Sequence, residues 1–235
     1  QQTVHDPGNR YSIPVSWGTT GLLYNSEKIT NAPTDWNYLW ENKDKLNRRI
    51  TLMNDVREVL GATLRSLGYS YNSKNPAELE KAYDRLQQLK PAIATFTTDA
   101  WRDQLLAGDL LMSMVYSSDA VLAITQNPKL KYVIPASGTS VWSDTIVIPK
   151  TAPNPDAAYA WLEFMLQPEV AAKLTERLSF ATTNQAAIAK LPESLRSNTS
   201  LFPSMKMIEK SESIIPMERD VLETYDRYWT KLTSS

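Results

Sequence analysis

Short apolar runs rich in β-formers alternate along this chain with segments of helical periodicity, and several of those helical segments open on a residue–proline pair. Proline fits the first turn of a helix, where the N–H it lacks would have no partner, and it blocks the helix when it comes later. Asn75-Pro76 opens PAELEKAYDRLQQLK, which Pro91 stops; Asn154-Pro155 opens AAYAWLEFMLQ; Gln167-Pro168 opens EVAAKLTERL. Strands are predicted at Pro14–Asn25 (PVSWGTTGLLYN), Arg49–Met53, Leu110–Tyr116, Lys131–Pro135 and Val141–Pro149. Further helices are predicted over WNYLW after Thr34 or Asp35, over Asp55–Leu67, from Thr98-Asp99, from Ser118 or Asp119, from Asn184 and Pro192, and from about Pro216. Strands alternating with helices give an α/β protein with a mostly parallel sheet. Gly18 and Gly21 fall inside the first strand, where glycine signals the close approach of another backbone or of a ligand.

Composition then removes much chemistry. The chain has 235 residues, enough for one large domain or two modest ones. Lys plus Arg number 25 and Asp plus Glu 26, a net charge of −1 that argues against a nucleic-acid binder. Cysteine is absent, which excludes disulfides, thiolate metal sites and cysteine nucleophiles. The single histidine, His5, lies in the turn-like stretch HDPGNR and reads as a solvated loop residue. A Ser-His-Asp triad and most zinc sites would need it. The sequence has no P-loop, no GxGxxG and no GxSxG. No catalytic residue, cofactor or metal is expected, and binding becomes the default function. No apolar run reaches the length of a membrane span. No signal-peptide pattern is found, and the sequence begins at Gln1 rather than Met, so it is expected to be a processed product or a fragment.

Three local groups combine carboxylates with aromatic rings at the ends of predicted elements. In NDVREV, Asp55 and Glu58 are three apart at a helix start, on one face. In VYSSDA, a strand ends in Tyr116 and a helix begins near Asp119. In VWSDTIVIP, Trp142 and Asp144 alternate to the same face of a strand. Such a set suits an organic cation, with carboxylates matching the ammonium charge and ring faces holding charge and methylene groups. Structural roles compete with this reading. Asp55-x-x-Glu58 also fits a capping box, Asp119 an N-cap and Trp142 ordinary core. Asp144, in the middle of an apolar strand, is harder to explain by folding alone, because a buried carboxylate needs a partner.

The order YSIPVSWGTTGLLYN, ITLMNDVREVLGATLRSLGYSYN, LLMSMVYSSDAV and VWSDTIVIPKTAPNPDAAYAWLEFMLQPEVAAKL resembles the periplasmic spermidine/putrescine-binding proteins of bacterial ABC uptake systems. The resemblance covers nearly the whole chain, and its DxREV segment is the part specific to the polyamine branch. It implies a periplasmic-binding-protein type II-like fold: two lobes with a polyamine in the cleft, and delivery to an ABC transporter permease. Residues 1–27 with 141–190 would form one lobe, and 28–140 with 191–235 the other. Carried over by position, Glu58 matches a carboxylate that contacts an amine, and Asp55 its companion. Asp119 matches a carboxylate of the putrescine-type members. Trp142 and Asp144 match an aromatic and a carboxylate on the strand crossing between lobes. Tyr116 stands where the family usually has tryptophan, and a family glutamine contact is replaced near Ile215. The opening segment of the family lies outside this sequence. One lobe is therefore expected to be incomplete, binding by this chain alone to be weak, and the exposed lobe to self-associate. The rival expectation is an interaction or regulatory protein whose solute-binding fold no longer takes polyamine.

Overall fold

The computed structural model describes residues 6–234, so His5 lies outside the described residues. Strand β1 (Ile13–Asn25) is unusually long. At about 3.3 Å per residue its 13 residues span roughly 40 Å, enough to serve two groups of strands. The chain then runs through the single turn α1 (Tyr38–Glu41), β2 (Ile50–Leu52), α2 (Val56–Ser66), α3 (Pro76–Leu89) and β3 (Ile93–Phe96). It continues through α4 (Trp101–Ala107), β4 (Met112–Tyr116), α5 (Ser117–Gln126), β5 (Leu130–Val133) and β6 (Val141–Ile146). The last third holds α6 (Pro155–Met165), α7 (Pro168–Leu178), β7 (Ala181–Thr182), α8 (Gln185–Ile188), α9 (Glu193–Arg196), α10 (Met205–Glu209) and α11 (Arg219–Thr233). The three Asx/Gln-Pro helix starts all hold, and Asn75 and Asn154 cap their helices through side-chain oxygens.

The protein is α/β, and its sheet is mixed rather than mostly parallel. The order is β3-β2-β4-β1-β5, with β6 and β7 also paired to β1. β2 runs parallel to β3 and β4, but β1 is antiparallel to every strand it meets. The alternation of elements suggested crossovers throughout. Between β1 and β2, however, α1 has only four residues, about 6 Å of helix. The rest of residues 26–49 is turns and irregular chain, and β1 runs opposite to β2 through their shared neighbour β4. β3 and the two-residue β7 were not foreseen, because neither is long enough to show a period.

β1 changes partners midway. Its C-terminal half lies between β4 and β5, with Thr20 opposite Tyr116 and Leu22 opposite Val133. Its N-terminal half pairs with β6 and β7, with Thr19 opposite Val141 and Trp17 opposite Ala181. Alternate residues of the first half enter separate cores. Leu22, Tyr24, Met112 and Met114 pack with Leu60, Leu64, Leu79, Leu86 and Tyr225, whereas Leu23 and Val115 pack with Trp101, Leu105 and Ala123. Around the second half, Trp17, Ala181 and Leu201 cluster with half-buried Leu195, Phe202 and Ile208.

At the changeover three chain segments run side by side. Thr20 N–H donates to Ser140 O (3.3 Å), Val141 N–H to Glu212 O (2.9 Å) and Glu212 N–H to Thr139 O (2.9 Å). Arg65 of α2 fastens them, donating to Ser137 O, Lys210 O (both 2.7 Å) and the Glu212 carboxylate (3.2 Å). Gly138 has φ +100°, and a Cβ there would collide with the Lys210 carbonyl. Gly18 likewise leaves the space that the Trp142 ring occupies, the close approach expected of a strand glycine. Gly138→Ala should therefore cost about 1–3 kcal/mol through overpacking plus left-handed backbone strain. Urea denaturation should show a lower midpoint at unchanged slope, and an unchanged midpoint would mean that the crossing yields freely.

Candidate functional site

Helix α2 begins under the changeover. Asp55 is its N-cap, with Oδ1 accepting the N–H groups of Arg57 (2.8 Å) and Glu58 (3.0 Å). Glu58 does not complete the capping box. Its side chain turns inward and is 2% exposed. Tyr71 OH donates to its Oε2 at 2.8 Å, and Ser140 Oγ lies 2.9 Å from Oε1 and 2.8 Å from Oε2. Ser140 also reaches Thr20 Oγ1 at 2.9 Å. Burial pushes the Glu58 carboxyl up to about 7, and the nearby Asp55 charge adds to the rise while the hydroxyls oppose it.

Tyr116 closes β4 beside this carboxyl. Its ring meets Trp142 edge-on, with centroids 5.4 Å apart at 74°, the geometry that aromatic quadrupoles favour. Phe180 stands on another side of Trp142 at 6.3 Å and 88°. The Trp142 indole N–H is buried without a partner among the described residues. Burial raises the Tyr116 hydroxyl above its ordinary value first of all, followed by the fields of Glu58, Asp55, Asp119 and Asp144. All four carboxylates therefore act on one phenol. Tyr132, half-buried, donates to Thr19 O at 3.1 Å.

Asp119 and Asp144 sit differently from expectation. α5 starts at Ser117, with Tyr116 at the N-cap position and no side-chain cap, so Asp119 lies inside the first turn. It accepts from Arg102 Nη2 at 2.8 Å; burial raises its carboxyl and Arg102 pulls it back. Asp144 is exposed rather than buried, and Ser16 Oγ donates to it at 2.6 Å. The apolar run it belongs to suggested an interior strand, but no residue of β6 is fully buried and Ser143, Asp144 and Thr145 are exposed. Asp144 stands at a cavity of about 240 Å³ lined also by Ser16, Leu178, Phe180 and Thr182. The structure thus gathers Asp55, Glu58, Tyr116 and Trp142 around the changeover, while Asp144 lines the cavity beside β7 and Asp119 lines another with Arg102. Tyr71, Ser140, Thr20 and Phe180 were not foreseen, since a lone hydroxyl or ring carries no local pattern. Among the described residues no group of three or more His, Asp or Glu side chains could hold a metal ion. Carboxylates and ring faces together suit recognition of an organic cation.

Comparison with known proteins shows the family and the fold. Residues 4–202 match the family model described as bacterial extracellular solute-binding protein. The spermidine/putrescine-binding periplasmic protein of Salmonella typhimurium is 34% identical over 97% of this chain and 65% of its own length. A putrescine-binding periplasmic protein of Pseudomonas aeruginosa is 30% identical over 98% of this chain and 67% of its length. The chain therefore spans about two thirds of such relatives. Among solved structures, the spermidine/putrescine ABC transporter substrate-binding protein PotD of Streptococcus pneumoniae superposes with a TM-score of 0.90 at 34% identity. That match covers 99% of this chain and 72% of that one. A Treponema pallidum lipoprotein superposes at 0.85 with 26% identity, over 100% of this chain and 72% of that one. The resemblance read from the sequence is borne out.

Glu58 also makes stability depend on pH. Its carboxyl holds a proton up to about pH 7 in the folded chain, against an ordinary 4.5. Between those values the folded state binds more protons than the unfolded state, so stability falls as pH rises through that window. The slope is limited to about 1.4 kcal/mol per pH unit for one proton. Urea midpoints of the wild type relative to Glu58→Gln should decline from pH 5 to pH 8. Parallel curves would show that Glu58 titrates normally.

Proposed function

The chain belongs to the bacterial extracellular solute-binding protein family, and from that premise we propose that it is the polyamine-binding component of a periplasmic ABC uptake system, with no covalent chemistry of its own. The observation that carries this reading is the buried Glu58 carboxyl, bonded only to hydroxyls, beside the Tyr116–Trp142 ring pair. A putrescine or spermidine ammonium beside Glu58 and Asp55 would find the charge that Glu58 lacks a partner for, and the rings would line its methylene chain. Asp144 would receive the distal amine at the rim. The cleft would lie where β1 changes partners, one lobe being built on its N-terminal half and the other on its C-terminal half. The clustering of Leu201 and Ile208 with Trp17 supports placing residues 191–208 with the first lobe. α11 would stay with the second, where Tyr225 packs. Complexed polyamine would pass to a membrane permease. No helix among the described residues is long and apolar enough to cross a membrane, which accords with a binding component outside one.

Calorimetric titration with putrescine and spermidine tests this. Binding of either supports it, and no binding of either at millimolar ligand overturns it. A charge-assisted hydrogen bond is worth about 1.5–3 kcal/mol, so Asp144→Asn should weaken binding about tenfold or more. Asp119→Asn should weaken it less, because Arg102 already occupies that carboxylate. Equal losses would mean that Asp119 leaves Arg102 for the ligand.

A second association is proposed on separate grounds. α6 exposes Tyr159 (61%), Trp161 (57%) and Phe164 (47%), with Val147 (57%) beyond β6. Among the described residues β6 pairs only with β1. Exposed apolar patches and open strand edges favour pairing with another chain. Light scattering at micromolar concentration should find this chain at twice its mass or more. Trp161→Glu with Phe164→Glu should return it to monomer, and a monomeric wild type would refute self-association.

A further inference from the structure

Glu58 is a buried acid whose hydrogen bonds can be counted. Among the described residues it takes part in no salt bridge. Tyr71 has one hydroxyl proton, shared between Glu58 O (2.9 Å) and Oε2 (2.8 Å). Ser140 also has one, facing Oε1, Oε2 and Thr20 Oγ1, all at 2.8–2.9 Å. Thr20 brings a third hydroxyl proton, so the three hydroxyls can bond either form of the acid. In the neutral form Glu58 donates to Ser140 Oγ, and Ser140 donates to Thr20 Oγ1. The neutral acid is therefore well bonded where it stands, and an ionised one would be buried without a counter-charge.

The surrounding charges do not supply that counter-charge. On α2, Asp55 opposes ionisation. Arg57 keeps its positive charge and favours it, but its guanidinium bonds Ile215 O (3.2 Å) and Asn72 Oδ1 (2.9 Å), lies over the Tyr225 ring (5.2 Å) and makes no ion pair with Glu58. Tyr71 follows α2, Tyr116 comes from β4 and Tyr132 from β5; all three phenols are held neutral by burial. Asp119 of α5 and Asp144 of β6 add negative field at Tyr116.

We infer that an organic ammonium ion entering beside Glu58 drives the proton off its carboxyl group, so that this chain exchanges a proton for the cation it binds. The inference rests on the polyamine reading above. The carboxyl O–H bond breaks, the proton passes to solvent buffer, and the carboxylate pairs with the ammonium. The ammonium keeps its own protons, since an alkylammonium of the lysine type releases them only near about pH 10.4. The carboxyl titrating at about 7 places the exchange at neutral pH. Ionisation also frees Ser140 Oγ from accepting and turns its proton toward Glu58. Thr20 Oγ1 can then donate to Ser140 Oγ, so the bond that ties the two crossing segments persists with its direction reversed.

Calorimetry of putrescine binding at pH 7 in two buffers of different ionisation enthalpy counts the protons released. About half a proton is expected from a group half-protonated at its own pKa, rising at pH 5.5 and vanishing at pH 9. Glu58→Gln should bind putrescine more weakly and release none. Carbon-13 NMR of the ligand-free chain should show the Glu58 carboxyl titrating within about one unit of 7, against about 4.3 for a free glutamate. Binding without proton release overturns the exchange and leaves the polyamine reading standing. A ligand-free midpoint below 5 overturns it whatever binds. Absence of binding overturns both, and the NMR midpoint then tells whether the acid itself behaves as inferred.

Discussion

β1 makes antiparallel pairs along its whole length, first with β6 and β7 and then with β4 and β5, and the rest of the architecture hangs from that continuity. A strand of ordinary length would end before the second set began. At the handover the ladder alone would leave a weak joint. Thr139 Oγ1 donates to Thr20 O at 2.7 Å there, and Ser140 bonds Thr20. Arg65 gathers the backbone carbonyls of Ser137 and Lys210 and the Glu212 carboxylate. The candidate site is part of the same joint, because the hydroxyl that holds Glu58 belongs to a crossing segment.

Three carboxylates near Tyr116 show how environment divides one chemical type. Glu58 is buried among hydroxyls, Asp119 is half-buried against Arg102, and Asp144 is exposed and bonded to Ser16. Removing a charge from water costs several kcal/mol unless something replaces the lost solvation. For Asp119 a guanidinium replaces it, and for Asp144 water remains. For Glu58 only dipoles do, which is why burial raises its carboxyl to about 7. The Tyr116–Trp142 pair walls this group on its apolar side, and Gly18 is what lets the Trp142 ring approach.

The sequence by itself determined the elements whose signals are local. Proline and asparagine placed the starts of α3 and α6, Asp55 announced the cap of α2, and the β-formers around Gly18 and Gly21 announced β1. It also determined the family, since the motifs occur in order along the chain. Only the tertiary structure decided the direction of β1, the exposure of Asp144 and the partners of Glu58 and Asp119. Strand direction depends on whether a connection crosses the sheet, and four residues of helix leave that unmarked in composition. Burial depends on what packs over a strand, and the same apolar runs occur on interior and surface strands. Glu58 meets Tyr71 13 residues away and Ser140 82 residues away. No pattern within a window of sequence joins such residues, because the energy that brings them together is spent on folding the whole chain.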